Sequence, residues 1–129
     1  MWPFKAKQKP SRIDPDAPRV VIIGNGITGI SAAIQIRKNQ PTWQISIVSG
    51  ESAYFYSRPA LMYIFMGHMR FEDTKPYDDR FWETNEINRI QAWAISLNSQ
   101  RQTVGLDTGQ DLPYDKLLIA TGSKPNYFG

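Results

Sequence analysis

Three glycines near the start of the chain carry the clearest chemical signal in the sequence. They form the pattern G-x-G-x-x-G, made up of Gly24, Asn25, Gly26, Ile27, Thr28 and Gly29. In such a loop the first glycine makes a tight turn, the second lets a pyrophosphate approach the backbone, and the third lets a helix pack closely on a strand. The helix N-terminus then offers amide groups and a positive dipole end to the phosphates. The pattern predicts a dinucleotide-binding turn; the alternative is a purely structural glycine turn.

One carboxylate is placed to complete such a site. Glu51 is the only acidic residue between Asp16 and Glu72, and it directly follows a predicted strand. A carboxylate at this position accepts hydrogen bonds from the ribose 2′-hydroxyl and would repel a 2′-phosphate. We therefore expect FAD or NAD rather than NADP, and the alternative is a solvated loop glutamate.

The hydrophobic pattern predicts the elements that position these residues. A β-branched run, a helical apolar period and a second apolar run fit one right-handed βαβ unit, and a later change to period two predicts an antiparallel meander. The predicted central strand covers 19–23, the second strand 43–48, and another buried strand 116–120. The three predicted strands of the meander cover 89–97, 102–106 and 110–114. The predicted helices cover 27–38, 59–66 and 78–86.

Two further stretches, together with the glycine pattern and the meander, give the chain a family resemblance. They are the segment from Tyr56 to Leu61 and the segment from Leu117 to Gly122, followed by Pro125. With them the sequence resembles the flavoprotein reductases that have two dinucleotide-binding domains. Within that family it is most similar to the branch that contains rubredoxin reductase, ferredoxin reductases and the nitrite reductase large subunit. The resemblance spans about residues 19–129.

The resemblance implies a fold, a cofactor and an activity. The implied fold is α/β, a Rossmann-like FAD-binding domain with a parallel sheet and an inserted antiparallel β-meander. The implied function is that of an FAD-dependent NAD(P)H oxidoreductase, which passes electrons from a nicotinamide cofactor through the flavin to an acceptor. The alternative is a non-enzymatic domain that binds NAD or FAD for regulation or interaction.

The resemblance also implies further contacts with FAD, beyond the glycine pattern and Glu51. Arg58 offers a forked cation for the pyrophosphate, and Gly122 allows close backbone approach. The full set of additional cofactor-binding residues is Arg58, Pro59, Ala120, Thr121, Gly122 and Lys124. We name no catalytic side chain, because FAD carries the hydride and electron chemistry, and we predict no metal site.

Several residues depart from the family pattern or draw attention without a clear role. The chain has no cysteine, so it supplies no redox dithiol. Tyr63 stands where many relatives have a lysine near the flavin, and we interpret it as a core residue. His68, the only histidine, is interpreted as structural or solvent-facing. We expect Trp82 and Trp93 to fill the core or the meander, and the acidic residues from 72 to 79 to form a solvated face.

Charge and length complete the expectations. The first 19 residues hold five basic and two acidic residues, so the net charge of +3 belongs to them and the rest is neutral. We predict a flexible basic tail over 1–18 and the N-terminal portion of an FAD-binding domain over 19–129, with no nucleic-acid partner, no integral membrane segment and a cytoplasmic location. The expected partners are the cofactor and a missing NAD(P)H domain or electron-acceptor protein. Alone, these residues should bind FAD weakly or not at all.

Overall fold

The computed structural model describes residues 10–128 of the chain. Within this range the chain forms seven strands, three α-helices and one 3-10 turn. In chain order they are β1 (Arg19–Ile23), α1 (Ile27–Asn39), β2 (Gln44–Ser49), α2 (Leu61–Phe65), the 3-10 turn (Phe71–Thr74), α3 (Asp79–Thr84), β3 (Ile87–Gln91), β4 (Ala94–Asn98), β5 (Thr103–Leu106), β6 (Asp111–Pro113) and β7 (Lys116–Ile119).

A four-stranded parallel sheet forms the centre of the fold, in the order β3-β2-β1-β7. Val21 of β1 lies opposite Ser46 on one side and Leu117 on the other. Val20 to Ile22 are buried, which confirms that this β-branched run is a central strand covered on both faces. Because the strands are parallel, the loops after β1, β2 and β7 meet at one edge of the sheet.

Each face of the parallel sheet is covered by a different layer. Helix α1 packs Ile30 and Ala33 against Ile22 on one face. A second, antiparallel sheet in the order β4-β5-β6 packs Val104 and other apolar residues against Val21 on the opposite face. The predicted α/β fold, with its parallel sheet and separate antiparallel meander, is confirmed.

The start of the predicted meander is wrong. Residues 89–97 do not form one strand, because β3 pairs in parallel with β2 and the chain enters the antiparallel sheet only at Ala94. Buried Ala92 marks the crossing between the two sheets. A period of two predicts a half-buried strand but does not reveal which sheet the strand joins, so alternation on both sides of Ala92 reads as a single strand.

The predicted burial of the last strand is also wrong. Leu117 and Leu118 are half-buried, and Ile119 is 59% exposed. Within residues 10–128, β7 pairs with β1 alone and lies at the edge of the sheet. Its apolar sequence is that of a strand covered on both sides, but the described residues cover it only in part.

The two short helices are shorter than predicted. Helix α2 ends at Phe65 and has no buried residue. Helix α3 begins after Asp78, whose carboxylate accepts a hydrogen bond from the Phe81 amide at 2.8 Å, and this N-cap fixes where the helix starts. Trp82 of α3 is 1% exposed, so its predicted place in the core is confirmed.

Part of the predicted N-terminal tail contacts the domain. The Arg12 amide donates to the Glu86 carboxylate at 3.0 Å, and the Asp14 amide donates to the Thr42 carbonyl at 3.0 Å. Residues 1–9 of that tail lie outside the described residues, and the boundary between tail and domain stays a prediction. Across residues 10–128, every helix is too short or too polar to cross a membrane.

Candidate functional site

The three pattern glycines have different surroundings, and contacts within the chain require a glycine at two of them. Gly24 has a φ of +109°, and a Cβ there would collide with the Ala120 carbonyl. At Gly29 a Cβ would collide with the Gly24 carbonyl, so the helix lies close to the turn. At Gly26 a Cβ would meet no atom within 4 Å. Packing therefore demands glycine at two positions, while Gly26 borders open space.

The N-terminus of α1 faces that open space. Gly26 is the N-cap residue with extended backbone, and the first helical bond runs from the Ile30 amide to the Gly26 carbonyl at 3.0 Å. The first turn of this 13-residue helix holds no acidic residue, and Gly26 brings no side chain to cap it. Ile27 and Thr28 are exposed there. The positive end of the helix dipole is thus available to an anion.

Asn25 connects the glycine turn to the loop after β2. Its side-chain amide donates to the carbonyl oxygens of Ser52 at 2.9 Å and Tyr54 at 3.2 Å. These bonds hold the segment that follows Glu51 beside the turn. The side chain of Asn25 therefore shapes the site, a contribution that the spacing of the glycines did not predict.

The Glu51 carboxylate is held by two residues of the same loop. The Tyr56 hydroxyl donates to one oxygen at 2.8 Å, and the Arg58 guanidinium pairs with the other at 2.5 Å. These bonds, from Arg58 first and Tyr56 second, hold the pKa of Glu51 below its usual range. The hydrogen bond to the Glu51 carboxylate raises the pKa of Tyr56. The structure thus brings two predicted site residues, Glu51 and Arg58, into one ion pair.

Tyr56 is a site residue that the sequence prediction omitted. It lies within the segment that carries the family resemblance, yet a tyrosine between two polar residues gives no sign by itself of a carboxylate partner. Its ring also lies 5.8 Å from the Arg58 guanidinium carbon, measured to the ring centroid. Tyr56 therefore contacts both members of the ion pair and orients them.

The segment after β7 reaches the glycine turn only at its start. The Ala120 amide donates to the Ile23 carbonyl at 2.8 Å, and the Thr121 α-carbon also lies beside Gly24. Gly122 has a φ of +76° with open space beside it. Lys124, further along, is exposed, as is Pro59 next to Arg58. Residues 120 and 121 are thus part of the turn, while Gly122 and Lys124 extend into open space.

Two aromatic residues lie elsewhere than predicted. Tyr63 is 54% exposed on α2, so the interpretation as a core residue is wrong. Trp93 is 58% exposed, and its indole lies against Gly50 instead of filling the core or the meander. Tyr63 lies within the short apolar helix α2, and Trp93 lies between β3 and β4. Apolar sequence does not reveal which side chains of a one-turn helix or of such a crossing segment face the core. His68 is exposed, as its solvent-facing interpretation expects.

These surroundings fit a dinucleotide. The open space at Gly26 and the free helix end suit a pyrophosphate, and the Glu51 carboxylate suits the hydroxyls of a ribose. Within residues 10–128, no group of three or more acidic, histidine or cysteine side chains is arranged to hold a metal ion.

Comparison with known proteins identifies the family. Residues 18–129 match the model of the pyridine nucleotide-disulphide oxidoreductases. The chain belongs to this family, and the resemblance found in its sequence is confirmed.

Individual relatives agree with this assignment. The chain is 34% identical to the sulfide-quinone reductase of Aquifex aeolicus (strain VF5) over 84% of its own length and 25% of the relative's. It is 30% identical to the rubredoxin-NAD(+) reductase of Pseudomonas putida over 81% of its length and 28% of the relative's. The crystal structure of a covalent putidaredoxin reductase–putidaredoxin complex superposes with a TM-score of 0.79 at 26% identity, over 86% of this chain and 27% of that one. The chain thus spans about a quarter of each of these proteins.

Proposed function

We propose that this chain is the FAD-binding part of an FAD-dependent NAD(P)H oxidoreductase. The observation that carries the proposal is the open space at Gly26, beside a helix N-terminus and between two glycines that packing requires. When bound, FAD accepts a hydride from the nicotinamide and passes electrons to an acceptor. The residues of this chain bind the adenosine and pyrophosphate part of FAD and orient it.

In this proposal the glycine turn holds the pyrophosphate. The amides at the start of α1 donate to phosphate oxygens, because no side chain caps them, and the absence of a side chain at Gly26 lets those oxygens approach. Asn25 acts by holding the neighbouring loop in place. Ile27 and Thr28 contribute backbone amides.

Glu51 accepts hydrogen bonds from the adenosine ribose in this proposal. A carboxylate has about four acceptor positions, so the bonds from Tyr56 and Arg58 leave room for ribose hydroxyls. In the same proposal Arg58, which pairs with Glu51, offers its remaining donors to the pyrophosphate. The remaining proposed contacts come from Pro59, Ala120, Thr121, Gly122 and Lys124.

The electron donor and acceptor belong to the same proposal. The chain carries one G-x-G-x-x-G pattern, so NAD(P)H is assigned to a second domain or chain. The relatives' names mention quinone and rubredoxin, and a putidaredoxin reductase has been crystallised in a covalent complex with putidaredoxin. These names support an electron-transfer role without choosing the acceptor. A cytoplasmic location stays a prediction, to be tested by cell fractionation.

The proposal is tested by titrating the purified chain with FAD, at concentrations high enough to detect the weak binding expected of these residues alone, and by measuring flavin fluorescence. Gly26→Val should weaken binding by at least about tenfold, a loss of about 1.4 kcal/mol, because the new side chain fills the space proposed for the pyrophosphate. Its thermal midpoint should stay near that of the parent, since this side chain meets no protein atom.

Two controls make this test specific. Gly29→Val should lose both binding and fold, because a side chain there collides with the Gly24 carbonyl. Ser99→Val, in the exposed turn after β4, should change neither. If the parent binds FAD and Gly26→Val binds it as tightly, the glycine turn is structural and the proposal fails.

A further inference from the structure

Trp93 stands at the point where the chain leaves the parallel sheet, beside the end of β2. The Ala92 amide donates to the Ser49 carbonyl at 3.1 Å, which places the next residue alongside the β2 terminus. Asp107 then holds the Trp93 backbone from both sides. Its carboxylate accepts from the Trp93 amide at 3.1 Å, and its own amide donates to the Trp93 carbonyl at 2.9 Å. These hydrogen bonds therefore fix the backbone position of Trp93.

The indole covers Gly50, the residue between β2 and Glu51. A Cβ at Gly50 would overlap the indole atoms Cγ, Cδ2 and Cε2, which lie at the centre of the ring system. The face of the ring therefore lies on the glycine backbone, and a side chain at position 50 would displace it. Trp93 nevertheless remains 58% exposed. One face of the indole thus packs on the backbone of Gly50, while much of the rest of the side chain is open to solvent.

From this geometry we infer that the Trp93 indole is the wall on which the adenine of the dinucleotide stacks. The inference rests on the proposed function, in which Glu51, the residue after Gly50, holds the adenosine ribose. Adenine is bonded to that ribose, so only the ribose ring separates it from the hydroxyls that contact the Glu51 carboxylate. An aromatic face seated on the preceding residue offers a flat apolar surface there.

The chemistry of the ring suits this role. Bases stack on aromatic side chains through their flat π faces, and losing one such partner costs about tenfold or more in affinity. Trp82 is fully buried and cannot serve. Ile95, on the same strand region, is more exposed than Trp93 but offers no flat face. Trp93 therefore sets the preference for an adenine-bearing cofactor, whereas the glycine turn recognises only phosphate.

The test compares two probes, ADP and inorganic pyrophosphate, by calorimetric titration of the chain. Trp93→Ala should weaken ADP binding about tenfold and leave pyrophosphate binding unchanged, because pyrophosphate has no base to stack. Trp93→Phe should keep ADP affinity within about threefold, since it retains an aromatic face. Ile95→Ala is the matched control and should change neither affinity.

The outcomes separate this inference from the function on which it rests. If the parent binds ADP and Gly26→Val does not, unchanged ADP affinity in Trp93→Ala overturns the inference alone. Equal losses for ADP and pyrophosphate in Trp93→Ala also overturn it, because they indicate a structural role. A parent chain that binds ADP no better than Gly26→Val does overturns the proposed function, and the inference with it.

Discussion

At the residue scale, Glu51 shows how a predicted ligand is prepared by neighbours that the sequence did not identify. Its position after β2 was predictable from strand, turn and acid spacing. Its pairing with Arg58 and Tyr56 was not, because the loop that folds these side chains back has no periodic pattern. The exposed place of Trp93 was missed for a similar reason, since hydrophobicity alone assigns a tryptophan to the core.

The pH dependence of cofactor binding follows from the lowered pKa of Glu51. Hydrogen bonds from Arg58 and Tyr56 favour the ionised carboxylate, so its charge is lost only when the pH falls through a pKa below the usual range. We expect FAD affinity to stay flat from about pH 6 to pH 8 and to fall only in acid. Flavin fluorescence titrations at several pH values measure this.

Variants of Glu51 separate its charge from its hydrogen bonds. Glu51→Gln should bind FAD more weakly at neutral pH and lose the decline in acid, because it has no charge to titrate. Glu51→Arg should bind FAD more weakly still in the same fluorescence titration, since it replaces the acceptor with a cation facing Arg58. FAD affinity in Glu51→Arg equal to that of the parent would show that the carboxylate does not contact the cofactor.

At the element scale, the hydrophobic pattern predicts a strand correctly where it belongs to a single strand. The prediction is wrong where one pattern continues across two strands. β1 is buried on both faces, and its β-branched run predicts a central strand of a parallel sheet. The run does not predict which strands are its neighbours. β3 and β4 read as one strand because alternation continues across Ala92 while the pairing changes from parallel to antiparallel. Burial of β7 depends on what covers its free edge, which its own sequence does not encode.

Arg37 joins the end of α1 to the start of β3 and should be critical for stability. Its guanidinium donates to five backbone carbonyls in two segments, those of Gln40, Pro41, Trp43, Asn85 and Glu86. Arg37→Ala leaves these acceptors without their charged donor, and we expect a loss of at least about 2 kcal/mol in the free energy of unfolding. Urea denaturation of the variant and parent measures it.

The neighbouring residue provides the control for that prediction. Lys38 lies on the same last turn of α1 and is exposed. Lys38→Ala should change the free energy of unfolding by no more than about 0.5 kcal/mol. A small effect at both positions would contradict the role of Arg37 as the link between these segments.

At the scale of the whole molecule, the family and the architecture were predictable because several weak signals agree. The glycine pattern, Glu51, the meander and the Ala120-Thr121-Gly122 ending are each compatible with more than one fold. Together they indicate one family, which the match over residues 18–129 confirms. The packing of the antiparallel sheet on the parallel one was not predictable, because it depends on contacts between Val104 and Val21 that are distant in sequence.

These 129 residues should not oxidise NADH by themselves. They contain one dinucleotide pattern, and the proposal assigns that pattern to FAD. With FAD and a dye acceptor added, NADH consumption by the purified chain should equal that of free FAD at the same concentration. Turnover clearly above the free-FAD rate would show that the nicotinamide binds within this chain.

The central claim is that a dinucleotide binds where β1 turns into α1. Its most direct test is a map of backbone amide shifts, recorded by two-dimensional ¹H–¹⁵N NMR of the labelled chain during titration with FAD. We predict that the largest shifts fall on residues 24–29, on Glu51 and on the Ala120-Thr121 turn, while β5 and β6 stay unchanged. Saturable binding whose largest shifts lie elsewhere, with residues 24–29 unmoved, would contradict the claim.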